Sequence, residues 1–220
     1  MNAQIVESSE SLTVMFTDIV GYTKTTTQLS REEFTQLHDT FDNISLPIFQ
    51  KYSGKVIKKI GDSFLLTFKS PTNAVLCGIE LQNAFDQYNK KTRKPIRIKV
   101  AIHTGEVIVR KEDIYGEAVN TTSRIEGIAQ PGQIVFSEAV FLAMNKKEFP
   151  YIHMGRKKLK GVKYPIRLFR VKSTYDEILR RRRAVASFIK GIILIGIIAL
   201  IIYLILRYAL FADLFTTIQS

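Results

Sequence analysis

With 220 residues, 46% of them hydrophobic, the chain is long enough for one well-cored domain and an appendage and too short for two large domains. Its 32 Lys and Arg against 20 Asp and Glu give a formal charge of +12, which points to an anionic partner such as a nucleotide, nucleic acid or acidic lipid without choosing among them. The single cysteine, Cys77, excludes an internal disulfide and a cysteine-based zinc cluster and suits a reducing compartment.

The opening MNAQIVESSESL has no basic region followed by a long apolar run, so no secretory signal is expected there. Leu12, Val14 and Phe16 alternate with Thr13, Met15 and Thr17, which predicts a buried strand ending at Asp18, where α/β folds place ligands. Gly21 and Thr23 follow, small residues that let backbone N–H groups approach an anion. Ser30 to Glu33 reads as a capping box, and Phe34, Leu37, Phe41, Ile44 and Ile48 give an amphipathic helix to about Gln50. Gly54 breaks it. Residues 56–68 then read as two short strands joined by a tight turn at Gly61, Asp62 and Ser63, which carries a second carboxylate. Ser70 and Pro71 open a second helix marked by Ala74, Gly78, Leu81 and Phe85. Ile96, Ile98, Val100 and Ile102 alternate with Arg97, Lys99, Ala101 and His103 in the clearest strand, which Gly105 is expected to close. A strand over 107–109, a helix from about Gly116 to Ala129 and a strand over 133–136 complete the pattern. The βαββαβ order predicts a ferredoxin-like α/β sandwich, an antiparallel or mixed sheet with helices on one face. His103 and Glu106 read as packed structural residues, because no second histidine stands at metal-ligand spacing.

Beyond Val171 the composition changes. Residues 174–179 suggest a short helical linker, 180–183 are four consecutive arginines, and 191–206 carry no charge. At 1.5 Å per residue that apolar stretch spans only about 24 Å, short of the roughly 30 Å hydrocarbon core. Continuing to Ala212 with Arg207 snorkelling, or starting at Ala184 with Lys190 snorkelling, supplies the missing length. One transmembrane helix is expected, with the arginines and the preceding domain on the cytoplasmic side of the cell (inner) membrane. The expected division is a tail (1–10), a domain (11–172), a basic linker (173–183), a transmembrane region (184–212) and a tail (213–220).

Five motifs stand in order: FTDIVGYT from Phe16, KKIGDSFL from Lys58, IHTGEV from Ile102, DIYGEAVNTTSR from Asp113 and LKG from Leu159. Together, over residues 10–172, they resemble the catalytic domain of class III nucleotidyl cyclases. The resemblance implies that Asp18 and Asp62, joined by the backbone carbonyl of Ile19, hold two Mg2+ or Mn2+ ions per active site. Hard divalent cations need oxygen ligands, and carboxylates can bridge two of them. It also implies that Lys58 and Asp113 read the purine, the lysine donating to an adenine ring nitrogen and the carboxylate accepting from the exocyclic amine. Guanine presents the opposite pattern, and relatives that use GTP carry a glutamate at the Lys58 position, so ATP is the expected substrate. Lys59 adjoins Lys58 and would take its place if the strand register slipped by one.

Asn120 and Arg124 match the family's transition-state residues, and their spacing of four puts both on one helix face. Asn120 would orient the ribose and Arg124 would stabilise charge on the reacting phosphate. Lys160 would meet the terminal phosphates, with Lys157, Lys158 and Lys163 close by as competitors. The implied activity is a membrane-anchored adenylate cyclase that makes cyclic AMP and pyrophosphate as a homodimer with shared sites. A guanylate cyclase, or a non-catalytic nucleotide-binding or scaffold domain of the same fold, is the alternative. The expected partners are ATP, a second copy of the chain and the lipid bilayer. Nucleic acid is not among them, because the aromatic strand motif that stacks bases is absent. Residues 109–113 are short beside the arm with which many animal relatives embrace their dimer partner, so a less extensive dimer interface is expected.

Overall fold

The computed structural model describes residues 7–22, 27 and 29–173. Thr23, the 174–179 linker, the arginine block and the apolar stretch lie outside the described residues. Among the described residues no helix is long and apolar enough to cross a membrane.

The elements run β1 (Glu7–Ile19), α1 (Arg31–Lys51), β2 (Lys55–Ile60), β3 (Ser63–Phe68), α2 (Pro71–Asn89), β4 (Ile98–Arg110), β5 (Asp113–Tyr115), α3 (Glu117–Glu126), β6 (Ile134–Ser137), α4 (Glu138–Ala143), β7 (Tyr151–Lys157) and β8 (Ile166–Val171). The strands form one mixed sheet in the order β2-β3-β1-β4-β6-β8-β7, with β5 pairing β4. Its first four strands have the ferredoxin-like arrangement, all antiparallel, and β6 joins β4 in parallel.

Local chemistry sets the helix starts. The Ser30 side chain accepts from the Glu33 backbone while the Glu33 side chain accepts from the Ser30 backbone, the reciprocal pair that satisfies two orphan donors at the start of α1. Ser70 caps α2 with Pro71 in its first turn.

Two expectations are corrected. β4 is one strand through Gly105, paired with β1 from Glu7↔Arg110 to Ile19↔Ile98, where a break and a separate strand over 107–109 were expected. Gly105 does not end the strand; it makes room above it, since a Cβ there would stand 3.1 Å from the Cβ of Ala118 on α3. The helices also do not share one face. α1, α2 and α4 cover the first face over a core that includes Met15, Phe41, Phe49, Leu81, Phe85, Val100 and Phe136. α3 lies across the second face, where Ala118 joins Val14, Leu65 and Val107, and Ile125 joins Ala101, Val135 and Leu168. The sheet is therefore buried on both sides under α3. Truncating a fully buried side chain such as Phe41 to alanine costs about 3–5 kcal/mol.

Candidate active site

The second face of the sheet carries the polar groups that the motifs single out. Along β1, Leu12, Val14 and Phe16 belong to that face, and strand alternation puts Asp18 on the same side at the strand's end. The register sets Asp18 between Ser63 of β3 and Lys99 of β4. Ser63 Oγ donates to Asp18 Oδ1 at 2.6 Å, and Lys99 Nζ stands 3.2 Å from Asp18 Oδ2 and 2.5 Å from Glu126 Oε1 at the end of α3. Burial alone would lower the Lys99 pKa, but the hydrogen bond and charge of Glu126, together with Asp18, outweigh it and raise it.

Asp62 sits in the β2–β3 turn beside Gly61, whose φ of +59° is the left-handed conformation a tight turn requires. Burial, and next the charge of Asp18, push its carboxyl up to about 6 from the ordinary 3.8. Two carboxylates held this close repel each other, and a divalent cation between them would relieve that repulsion. Ile19 buries its side chain in the first-face core, and Val20 N donates to Arg97 O at 2.8 Å, which fixes the backbone that follows Asp18. Among the described residues no cluster of three or more His, Cys, Asp or Glu forms a cage. A site of two carboxylates and a backbone carbonyl suits Mg2+ or Mn2+, which take their remaining oxygens from water and substrate phosphates.

Lys58 Nζ donates to Asp113 Oδ2 at 2.6 Å, which holds the Asp113 pKa low, and lies 5.9 Å from the centre of the Tyr115 ring. A β-bulge makes this possible. Val56 pairs with Leu66 and packs on the first face, the register shifts at Ile57, and Lys58 then pairs with Leu65 on the second. Lys59 therefore turns to the first face, where its Nζ meets Asp42 Oδ1 at 2.5 Å between the rings of Phe41 and Phe64.

Asn120 and Arg124 are exposed, because α3 buries Ala118, Thr121, Thr122 and Ile125 against the sheet. Among the described residues no hydrogen bond or ion pair joins either to Asp18, Asp62 or Lys58. Lys160 is exposed in the β7–β8 loop beside Leu159, which is buried in the second-face core; Lys157, Lys158 and Lys163 are exposed as well. His103 shares a 2.7 Å hydrogen bond with Ser137 Oγ, and burial pushes its pKa down to about 4, so it is a neutral packed residue. Glu106 accepts from Ser9 Oγ.

Sequence reasoning missed Ser63, Lys99 and Glu126. Lys99 had a legible signal, a cation at the start of the strand antiparallel to the one ending in Asp18; Glu126 had none, since only the crossing of α3 brings it there.

The family model described as the adenylate and guanylate cyclase catalytic domain matches residues 5–173. The chain belongs to this family. It is 33% identical over 171 residues, 77% of its length, to the serine/threonine-protein kinase pkn2 of Myxococcus xanthus, and spans 20% of that protein. Its fold is similar to the adenylyl cyclase CyaB of P. aeruginosa, with a TM-score of 0.70 and 25% identity over 77% of this chain and 97% of that one. It is also similar to the guanylyl cyclase Cya2, with a TM-score of 0.68 and 25% identity over 74% of this chain and 92% of that one. The cyclase domain thus occupies residues 5–173, and nucleotide cyclisation is the chemistry its family carries.

Proposed function

We propose that this cyclase domain converts ATP to 3′,5′-cyclic AMP and pyrophosphate. The observation that supports the reading is the Lys58–Asp113 pair, a cationic donor beside an anionic acceptor. Adenine offers a ring nitrogen to the first and an amine to the second, whereas guanine would meet a donor with a donor. Relatives include a putative adenylate cyclase of Rhizobium meliloti, 26% identical over 71% of this chain.

In the reaction the ribose 3′-hydroxyl gives its proton to solvent water and its oxygen attacks the α-phosphorus, while the bond from that phosphorus to the oxygen leading to the β-phosphorus breaks and pyrophosphate leaves with that oxygen. Asp18, Asp62 and the Ile19 carbonyl would hold two Mg2+ or Mn2+ ions, whose charge would make the hydroxyl more acidic and would offset the charge of the pyrophosphate. Lys58 and Asp113 orient the base, Asn120 the ribose, Arg124 spreads charge on the reacting phosphate, and Lys160 holds the terminal phosphates.

Asn120 and Arg124 face outward, away from the sheet that carries the aspartates of their own chain, and this favours a homodimer in which a second copy completes each site. The apolar stretch within 184–212 anchors the enzyme in the inner membrane with the domain in the cytoplasm.

The test is product formation by the purified full chain, supplied with ATP or GTP and Mg2+ or Mn2+. Cyclic AMP is the expected main product. Preferential formation of cyclic GMP would overturn the assignment of the purine readers, and absence of any cyclic nucleotide would favour the scaffold alternative.

A further inference from the structure

A cavity of about 480 Å3 opens at the other end of β1 from Asp18, lined there by Glu10 and Leu12. None of the residues assigned to the active site lines it. Its apolar wall is built by Leu12, the bulged Ile57, Val109 and Ile114. Three charged residues line it as well. Lys55 and Lys69 make no ion pair among the described residues, and with Glu10 they leave one net positive charge.

Two further observations concern the head group of a ligand. The start of α2 faces the cavity through Ser70 and Asn73, and its first turn holds no acidic residue, so the positive end of the helix dipole is uncompensated. Thr67 is only 5% exposed and lines the cavity, and its hydroxyl makes no hydrogen bond to another described residue. That hydroxyl is open to the cavity and can donate to a ligand oxygen there. The volume falls in the range of small-molecule pockets and is too small for a two-chain lipid.

We propose that this cavity binds an amphipathic monoanion, a medium-chain aliphatic carboxylate, with its alkyl chain on the apolar wall and its carboxylate at Lys55, Lys69, Thr67 and the start of α2. The single net positive charge matches one carboxylate, and the apolar wall separates this ligand from inorganic anions.

The test uses the full chain in its membrane and decanoate carrying a photoreactive diazirine at the end of its alkyl chain. After irradiation and digestion, label is expected on peptides from β2–β3 or β4–β5. Excess decanoate should displace it and decanol should not. The Lys55→Gln/Lys69→Gln double variant should reduce labelling about tenfold, as the loss of about 1.4 kcal/mol would. Val109→Trp should abolish it by filling the cavity. The three substituted positions, Lys55, Lys69 and Val109, lie outside the cyclase machinery, and labelling is read without turnover, so failure here and failure of the cyclase reading are distinguishable. Label confined to residues 184–212, label unchanged in the double lysine variant, or equal competition by decanol would each overturn the proposal.

Discussion

Replacing Asp62 by Asn is expected to stabilise the metal-free protein while removing its activity. The Asp62 carboxyl titrates at about 6 in the fold against an ordinary 3.8, because of burial and then the Asp18 charge. A carboxyl whose pKa is raised by folding favours the folded state in its protonated form. That contribution is whole below about pH 4, drains as the pH rises towards 6, and is gone above it, where ionised Asp62 costs stability. The gap corresponds to about 3 kcal/mol at 1.36 kcal/mol per tenfold. The side chain is partly open to solvent, which brings the cost to about 1–2 kcal/mol. In a domain of this size that is a rise in Tm of about 3–6 °C. The assay is thermal unfolding of wild type and Asp62→Asn in EDTA, at about pH 7.5 and about pH 4.5. The variant should melt higher at the first pH and the difference should shrink at the second. Added Mn2+ should raise the wild-type Tm by mass action and leave the variant nearly unchanged. A variant that melts below wild type at the higher pH without metal would refute the reasoning, since the two carboxylates would then not be repelling each other.

Lys58→Glu combined with Asp113→Ala is expected to move preference from ATP towards GTP, read as the ratio of the two cyclic products; an unchanged ratio removes these residues from base recognition. Lys59→Gln should leave that ratio alone and lower stability by about 1 kcal/mol through loss of the half-buried Asp42 pair, measured by the denaturation midpoint. Gly105→Val should cost about 1–3 kcal/mol, because its side chain meets Ala118 and His103 under α3, and an unchanged midpoint would show that α3 yields without cost. Asp18→Ala and Arg124→Ala variants should each be nearly inactive, yet an equal mixture should recover about a quarter of the wild-type rate. Random pairing makes about half the dimers mixed, each with one intact site, so an inactive mixture containing mixed dimers would exclude shared sites.

The helix starts were legible in the sequence because capping is local chemistry. Ser30 with Glu33, and Ser70 with Pro71, act within one turn and carry their own signal. Asp18 and Asp62 were legible for a similar reason, one at the end of an alternating strand and the other in a glycine turn. The sequence alone also set two lysines side by side and left open which one faces Asp113. The bulge at Ile57 decides it, and a bulge arises from how β2 pairs with β3, which alternation along β2 cannot reveal. Gly105 misled for a related reason. Read locally it breaks a strand, whereas in the fold it admits Ala118 while β1 pairs past it without interruption. The face taken by α3, and with it the Lys99–Glu126 bond beside Asp18 and the outward aim of Asn120 and Arg124, depended on packing between elements far apart in the chain. No window of sequence contains both partners of such a contact, so only the tertiary structure could decide it.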